Sequence, residues 1–217
     1  MRRLLATLTV LAACLFGLPA TATAAPAPLG GGSILFSIGG TARCTAAFAA
    51  TGGSTGYLVT GPGCSGGMPT QLYSGNNVLV GPVVSASASG VTLVKVTNTA
   101  AWTLVAWIPV GSGRLVVAGS AETPVGGSVC LIDRVLGFQC GTVTAKNQTV
   151  SFPGGVVSGL TRTTICMSAG SAVAFVSGNQ AQGVPIGGSG SCPTGGVSYF
   201  LPINPLLSGY GLMLLTG

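Results

Sequence analysis

The chain contains no histidine, and its only acidic side chains are Glu122 and Asp133. Proton transfer through an imidazole is therefore impossible, and paired-carboxylate hydrolysis would need these two residues to meet in one cleft. A Ser-Lys pair would have to use Lys95 or Lys146, and neither has a serine in a recognisable partner motif. The glycine-rich runs lack the Lys-Ser/Thr ending of a phosphate loop and read as turns. Seven cysteines are present, with no CxxC pair, so a metal site is not expected and no cofactor is implied. Cys14 lies inside an N-terminal apolar run, which leaves Cys44, Cys64, Cys130, Cys140, Cys166 and Cys192 for three disulfides. Spacing alone leaves all fifteen pairings open.

The elements that would position these residues are short and β-like. Arg2 and Arg3 precede an apolar run from Leu4 to Leu18, closed by Pro19 and followed by Ala22-Thr23-Ala24. This is the pattern of an export signal over residues 1–25, cleaved near Ala24 or Ala25, and the run is shorter than the roughly 20 residues of a spanning helix. The expectation is a secreted chain with no transmembrane helix after signal removal. Loss of Arg2 and Arg3 lowers the formal charge from +6 to +4. The remaining cations are scattered singly and give no nucleic-acid footprint. Low charge and positive mean hydropathy keep open a barrel associated with the cell envelope.

From Leu29 onward, runs of Val, Ile, Leu, Phe, Tyr and Thr alternate with Gly, Pro, Ser and Asn clusters every eight to twelve residues, an all-β pattern. Residues 26–32 read as a linker. The Pro/Gly/Ser-rich stretch from Pro109 to Gly127 reads as a seam between two halves. Helical spacing occurs only near Ile203 to Tyr210, with Asn204-Pro205 as its start signal. Trp102 and Trp107 are expected to pack in the first half, and Asn147-Gln148-Thr149 is expected to be structural despite matching a glycosylation acceptor.

The second half reads Cys140-Gly141-Thr142-Val143-Thr144-Ala145-Lys146-Asn147-Gln148-Thr149-Val150, then Gly159-Leu160-Thr161-Arg162-Thr163-Thr164 and Cys166. Further on come Gly178-Asn179-Gln180-Ala181-Gln182-Gly183-Val184, Gly187-Gly188-Ser189-Gly190-Ser191-Cys192 and Ser198-Tyr199-Phe200-Leu201-Pro202-Ile203-Asn204-Pro205. This order resembles the C-terminal barrel of the chymotrypsin-fold serine proteases of streptogrisin and alpha-lytic type. The first half is similar through Arg43-Cys44, Gly53 to Thr60, Cys64 and Val91 to Val96. The resemblance implies two six-stranded antiparallel β-barrels, about 33–110 and about 114–202, and one short C-terminal helix at about 203–210. It also implies the pairings Cys44 with Cys64, Cys130 with Cys140, and Cys166 with Cys192.

The same resemblance implies a catalytic triad, and the corresponding positions hold other residues. The family's histidine precedes the first-barrel cysteine; here the segment is Thr60-Gly61-Pro62-Gly63-Cys64, with Gly63 in its place. The aspartate position falls in Ala88-Ser89-Gly90-Val91, on Gly90. The serine position falls on Ala172 within Met167-Ser168-Ala169-Gly170-Ser171-Ala172-Val173-Ala174. Ser171 is the one displaced-nucleophile candidate, with no base expected beside it. Asp133 reads as a solvated loop charge beside Arg134. The substrate-strand segment appears as Val184-Pro185-Ile186-Gly187-Gly188, in which Pro185 lacks an N–H.

The expectation drawn from these residues is a secreted, monomeric, non-catalytic protease homologue. Its partner would be a peptide, a protein or a cell-envelope ligand. An active serine-type endopeptidase with an unorthodox site is the alternative, and an envelope-associated β-barrel the second.

Overall fold

The computed structural model describes residues 24–40, 42–64, 70–87, 89–168, 170–192 and 195–217. The expected export signal lies almost wholly outside them. In chain order the strands are β1 (Ala27–Leu29), β2 (Ile34–Phe36), β3 (Arg43–Gly52), β4 (Thr55–Thr60), β5 (Gln71–Ser74), β6 (Val78–Ala86) and β7 (Thr92–Val96). Next come β8 (Trp102–Leu104), β9 (Trp107–Val110), β10 (Gly113–Val116), β11 (Ser128–Asp133), β12 (Gly137–Phe152) and β13 (Gly155–Thr163). The chain continues through β14 (Ala172–Ser177), β15 (Gln180–Ser191), β16 (Gly195–Pro202), the helix α1 (Ile203–Gly209) and β17 (Met213–Leu214).

These strands make two rings, as expected. The first runs β3-β2-β5-β6-β7-β4 and closes through β3 against β4, with β17 added to β3. The second is a closed barrel in the order β11-β12-β13-β16-β15-β14. Each ring has its own apolar filling. Leu35, Leu58, Leu72, Val80 and Val94 fill the first; Val129, Leu131, Val143, Phe175 and Phe200 fill the second. In the second, Phe175 and Phe200 stack with ring centroids 4.7 Å apart.

A third cluster lies between the rings, which explains strands that are apolar on consecutive residues instead of alternate ones. Strand β3 buries Ala46 through Ala50 without a break. Ala46 and Ala49 face the first filling, while Ala47, Phe48 and Ala50 face the interface. Strand β14 behaves alike, with Phe175 inward and Val173, Ala174 and Val176 towards the seam. Period-two alternation puts successive side chains on opposite faces, so a strand covered on both faces must be apolar throughout.

Two expectations about boundaries need correction. Residues 26–32 are not a linker: β1 pairs in parallel with β8, and Leu29 is buried in the first filling. The second barrel starts at Ser128 and not near residue 114, because β10 folds back on β9 as a hairpin at the seam. The helix, Ile203–Gly209, lies where it was expected, although the Asn204 amide donates to the Ser120 carbonyl and does not cap it.

Several side chains take structural roles. Trp102 is buried and its Nε1 donates to the Leu79 carbonyl at 2.8 Å. Trp107 packs under the Arg114 guanidinium, 5.6 Å from the ring centroid. Asn147 has φ 54 at an irregularity in β12, a conformation that Asn tolerates better than most residues.

Candidate functional site

A cleft of about 620 Å³ opens between the barrels, lined on the first-barrel side by Arg43, Thr45, Gly61 and Pro62. Across it stand Arg134, Phe152, Met167, Gly170, Ala172 and the Pro185–Gly188 stretch of β15. The two walls nearly touch at one point, where the Pro185 carbonyl oxygen lies 3.6 Å from where a Cβ on Gly61 would be. Two arginines and no carboxylate line this space, so its mouth is cationic.

Of the expected triad positions, Ala172 lines this cleft, while Gly63 and Gly90 adjoin its lining residue Pro62. Gly63 immediately precedes Cys64 at the end of β4's following turn, and Gly90 packs on Pro62, the residue before Gly63. Both glycines have positive φ, 111° and 81°. A Cβ on Gly63 would run into the Arg43 carbonyl oxygen, and one on Gly90 would meet the Pro62 ring at 3.1 Å. The backbone here is thus shaped for glycine, beyond the mere lack of side chains. Ala172 opens β14 and lines the cleft from the other barrel. Residues 88 and 169, which flank two of these segments, lie outside the described residues.

Ser171 turns elsewhere, and here the sequence expectation fails. Its hydroxyl donates to Asp133 Oδ2 at 2.6 Å, so an ionisable group does stand beside it. Asp133 is not a solvated loop charge: it is 2% exposed, and its Oδ1 accepts the backbone N–H groups of Val135 at 2.8 Å and Leu136 at 3.0 Å. The buried carboxylate is satisfied by three donors. Next to it, the Arg134 guanidinium donates to the Gly170 carbonyl at 2.6 Å, and the Arg134 N–H donates to the Ser171 carbonyl at 3.0 Å. The β11–β12 hairpin therefore grips the 170–172 turn from two sides. The legible signal was turn chemistry: an Asp at a hairpin end ahead of Val-Leu-Gly accepts N–H groups two and three residues on.

The expected substrate strand forms one edge of the cleft. Strand β15 pairs with β16 from Gly183 to Ser191 but with β14 only through Gln180 to Gly183. Among the described residues, Pro185 to Gly188 therefore present their second edge to the cleft. Val184 does not line it, being fully buried in the interface cluster. Arg43, Arg134, Phe152 and Met167 had not been picked out from sequence, because each comes from a separate element.

Cysteine positions are joined as Cys44 to Cys64, Cys130 to Cys140 and Cys166 to Cys192. Three disulfides fit an oxidising compartment. Among the described residues no group of three metal-ligating side chains comes together. No helix of the described residues is long and apolar enough to cross a membrane.

No protein-family model matches the chain. Individual proteins do. It is 38% identical to streptogrisin-C of Streptomyces griseus over 187 residues, covering 85% of this chain and 41% of that protein, so it spans about two fifths of that relative's length. Glutamyl endopeptidase 2 of Streptomyces griseus is 32% identical over 193 residues, covering 85% of this chain and 97% of that protein. The crystal structure of Nocardiopsis protease shares 37% identity with a TM-score of 0.73, covering 88% of this chain and 100% of that chain. The chain belongs to the chymotrypsin-fold serine proteases of streptogrisin and alpha-lytic protease type.

Proposed function

We propose that this family member is secreted and non-catalytic, and that it works as a monomer by binding a peptide, a protein or cell-envelope material in the cleft between its barrels. One observation carries the reading: the chain has no histidine at all, and the residues we read as standing at the triad positions are Gly63, Gly90 and Ala172. Acyl transfer by a serine needs a base to take the hydroxyl proton and a carboxylate to orient that base. The positive φ at Gly63 and Gly90 supports the same reading, since a histidine and an aspartate would be strained there. What supports a binding role is the retained cavity, its unneutralised arginines and the exposed edge of β15, an element to which an extended chain can add by main-chain hydrogen bonds. Pro185 offers no N–H for such pairing, so an added chain would lean on Ile186 to Gly188.

A second reading, a serine endopeptidase with an unorthodox site, draws on the Ser171–Asp133 hydrogen bond. One of the proteins the chain is similar to is glutamyl endopeptidase 2. Against this reading, Asp133 accepts two backbone N–H groups besides the Ser171 hydroxyl, so its carboxylate is engaged in holding the hairpin. An envelope-inserted barrel is disfavoured because both rings have six strands filled with apolar side chains, whereas membrane barrels have eight or more and a polar interior.

The test is covalent labelling by a serine-directed phosphonate together with cleavage of a broad peptide library, using exported protein whose mass shows three disulfides. The expected result is no label and no cleavage. Labelling abolished by Ser171→Ala would overturn the non-catalytic reading.

A further inference from the structure

Asp133 and Gly137 face each other across the β11–β12 hairpin, leaving Arg134, Val135 and Leu136 as a three-residue tip, followed by Gly137 at φ 71. Short hairpin loops ending in a left-handed residue are common, and their tips are ordinarily polar. This one is apolar. Val135, Leu136 and Phe138 are 79%, 56% and 47% exposed, three large hydrophobic side chains within four consecutive positions. Folding gains little from apolar groups left in water, so their placement at a protruding tip calls for contact with something outside the fold.

The tip is also held in shape. Asp133 takes the N–H groups of Val135 and Leu136 and the hydroxyl of Ser171, and the Cys130–Cys140 bridge joins residues directly opposite on the two strands. A segment ordered in advance loses little further freedom when its side chains are buried in a second phase.

The charge around the tip favours one kind of surface. The chain has two acidic side chains, and both are committed: Glu122 to Lys146 in an ion pair, Asp133 to the hairpin interior. No unpaired carboxylate side chain remains to repel an anionic layer. Arg134 begins the tip, its exposed guanidinium donating one hydrogen bond to the Gly170 carbonyl and keeping its other donors for a headgroup, and Arg43 lines the adjoining cleft. Apolar side chains standing clear of the fold with arginine at their base match a lipid–water interface, where the former reach the acyl boundary and the latter stays with anionic headgroups.

We propose that the hairpin tip from Arg134 to Phe138 is an anchor for anionic lipid surfaces. Val135, Leu136 and Phe138 enter the interface and Arg134 stays at the headgroups. The inference does not depend on whether the cleft is catalytic.

Sedimentation of the full exported protein with vesicles of phosphatidylglycerol and phosphatidylcholine, against vesicles of phosphatidylcholine alone, tests it. Binding is expected on the anionic vesicles, weakening as salt is raised. A triple Val135→Ser, Leu136→Ser, Phe138→Ser variant should bind at least about tenfold more weakly, and Arg134→Gln about fivefold more weakly. All three apolar positions are exposed, so the triple variant should keep its melting temperature, which checks that folding is intact. Absence of binding to the anionic vesicles, equal binding to both vesicle types, or an unaffected triple variant would each overturn the proposal. Tip-dependent capture of a protein without vesicle binding would do so as well, and would assign the tip to a protein groove.

Discussion

The hydroxyl of Ser171 reaches across 38 residues of chain to donate to Asp133 at 2.6 Å, tying the turn ahead of β14 to the hairpin between β11 and β12. Asp133 serves three donors from a buried position, so its removal leaves two N–H groups and a hydroxyl without an acceptor. Asp133→Ala should cost about 3 kcal/mol, read as a fall of roughly 6–12 °C in Tm for a domain of this size. Ser171→Ala, which strands one lone pair, should cost about 1–2 kcal/mol. The double variant should lose less than the sum, because both changes break one bond; additive losses would show that the pair is uncoupled.

Restoring the family's side chains should not restore hydrolysis. The combined Gly63→His, Gly90→Asp, Ala172→Ser variant places Cβ atoms at two positive-φ positions, one of them facing the Arg43 carbonyl oxygen and the other the Pro62 ring. Strain of about 1–3 kcal/mol per site is expected, with Tm lowered and peptide hydrolysis still at background. A gain of phosphonate labelling would show that the backbone can re-form the site.

The three disulfides differ in access and should be reduced in order. Cys44 and Cys64 are 5% and 0% exposed within the first-barrel filling, whereas Cys140 lies open on the outer hairpin. Exchange needs attack by a thiolate along an open path, so Cys130–Cys140 and Cys166–Cys192, each with one exposed cysteine, should be alkylated before Cys44–Cys64 under mild reductant. Peptide mapping after timed alkylation reads this directly. Replacing Cys44 and Cys64 together by Ala should cost about 2–4 kcal/mol.

Phe175 sits at 0% exposure and stacks on Phe200 in the second filling. Phe175→Ala should cost about 3–5 kcal/mol through lost transfer energy and the cavity left behind. Phe175→Leu should recover a large part of that loss. Denaturant midpoints of the two variants distinguish a packed ring from a tolerant one.

Strands with a covered face on each side were legible from sequence wherever β-branched and apolar residues ran together, as in Val91 to Val96. Strand β15 was legible only through the family resemblance, because Gln180-Ala181-Gln182-Gly183-Val184-Pro185-Ile186-Gly187-Gly188 has the composition of a loop. It is a strand because β16 supplies a long partner, and glycine is required where Gly183 approaches the Leu201 carbonyl and the Phe200 ring. Strands β1 and β5 are too short to show a pattern: three or four residues carry too little periodicity, and only Leu29 and Leu72 are buried apolar residues there. At the cleft, Gly63, Gly90 and Ala172 were found by position within motifs. Asp133 was misread because a lone acid next to an arginine suggests solvent, whereas backbone donors and a distant serine decide its surroundings.

Strand β17 leaves the second barrel's helix and returns to the first ring, setting Met213 opposite Thr51 and Leu214 opposite Ala50, while the Leu215 N–H donates to the Ala49 carbonyl at 3.0 Å. The order in which the molecule can be completed follows from this. Strand β3 is available early, yet its outer edge near Thr51 stays open until the second ring has delivered residues 213–215 to it. A pairing so remote along the chain pays its loop-closure cost late. The two rings are thus bound into a single closing event, with the first waiting on the second for its final stitch.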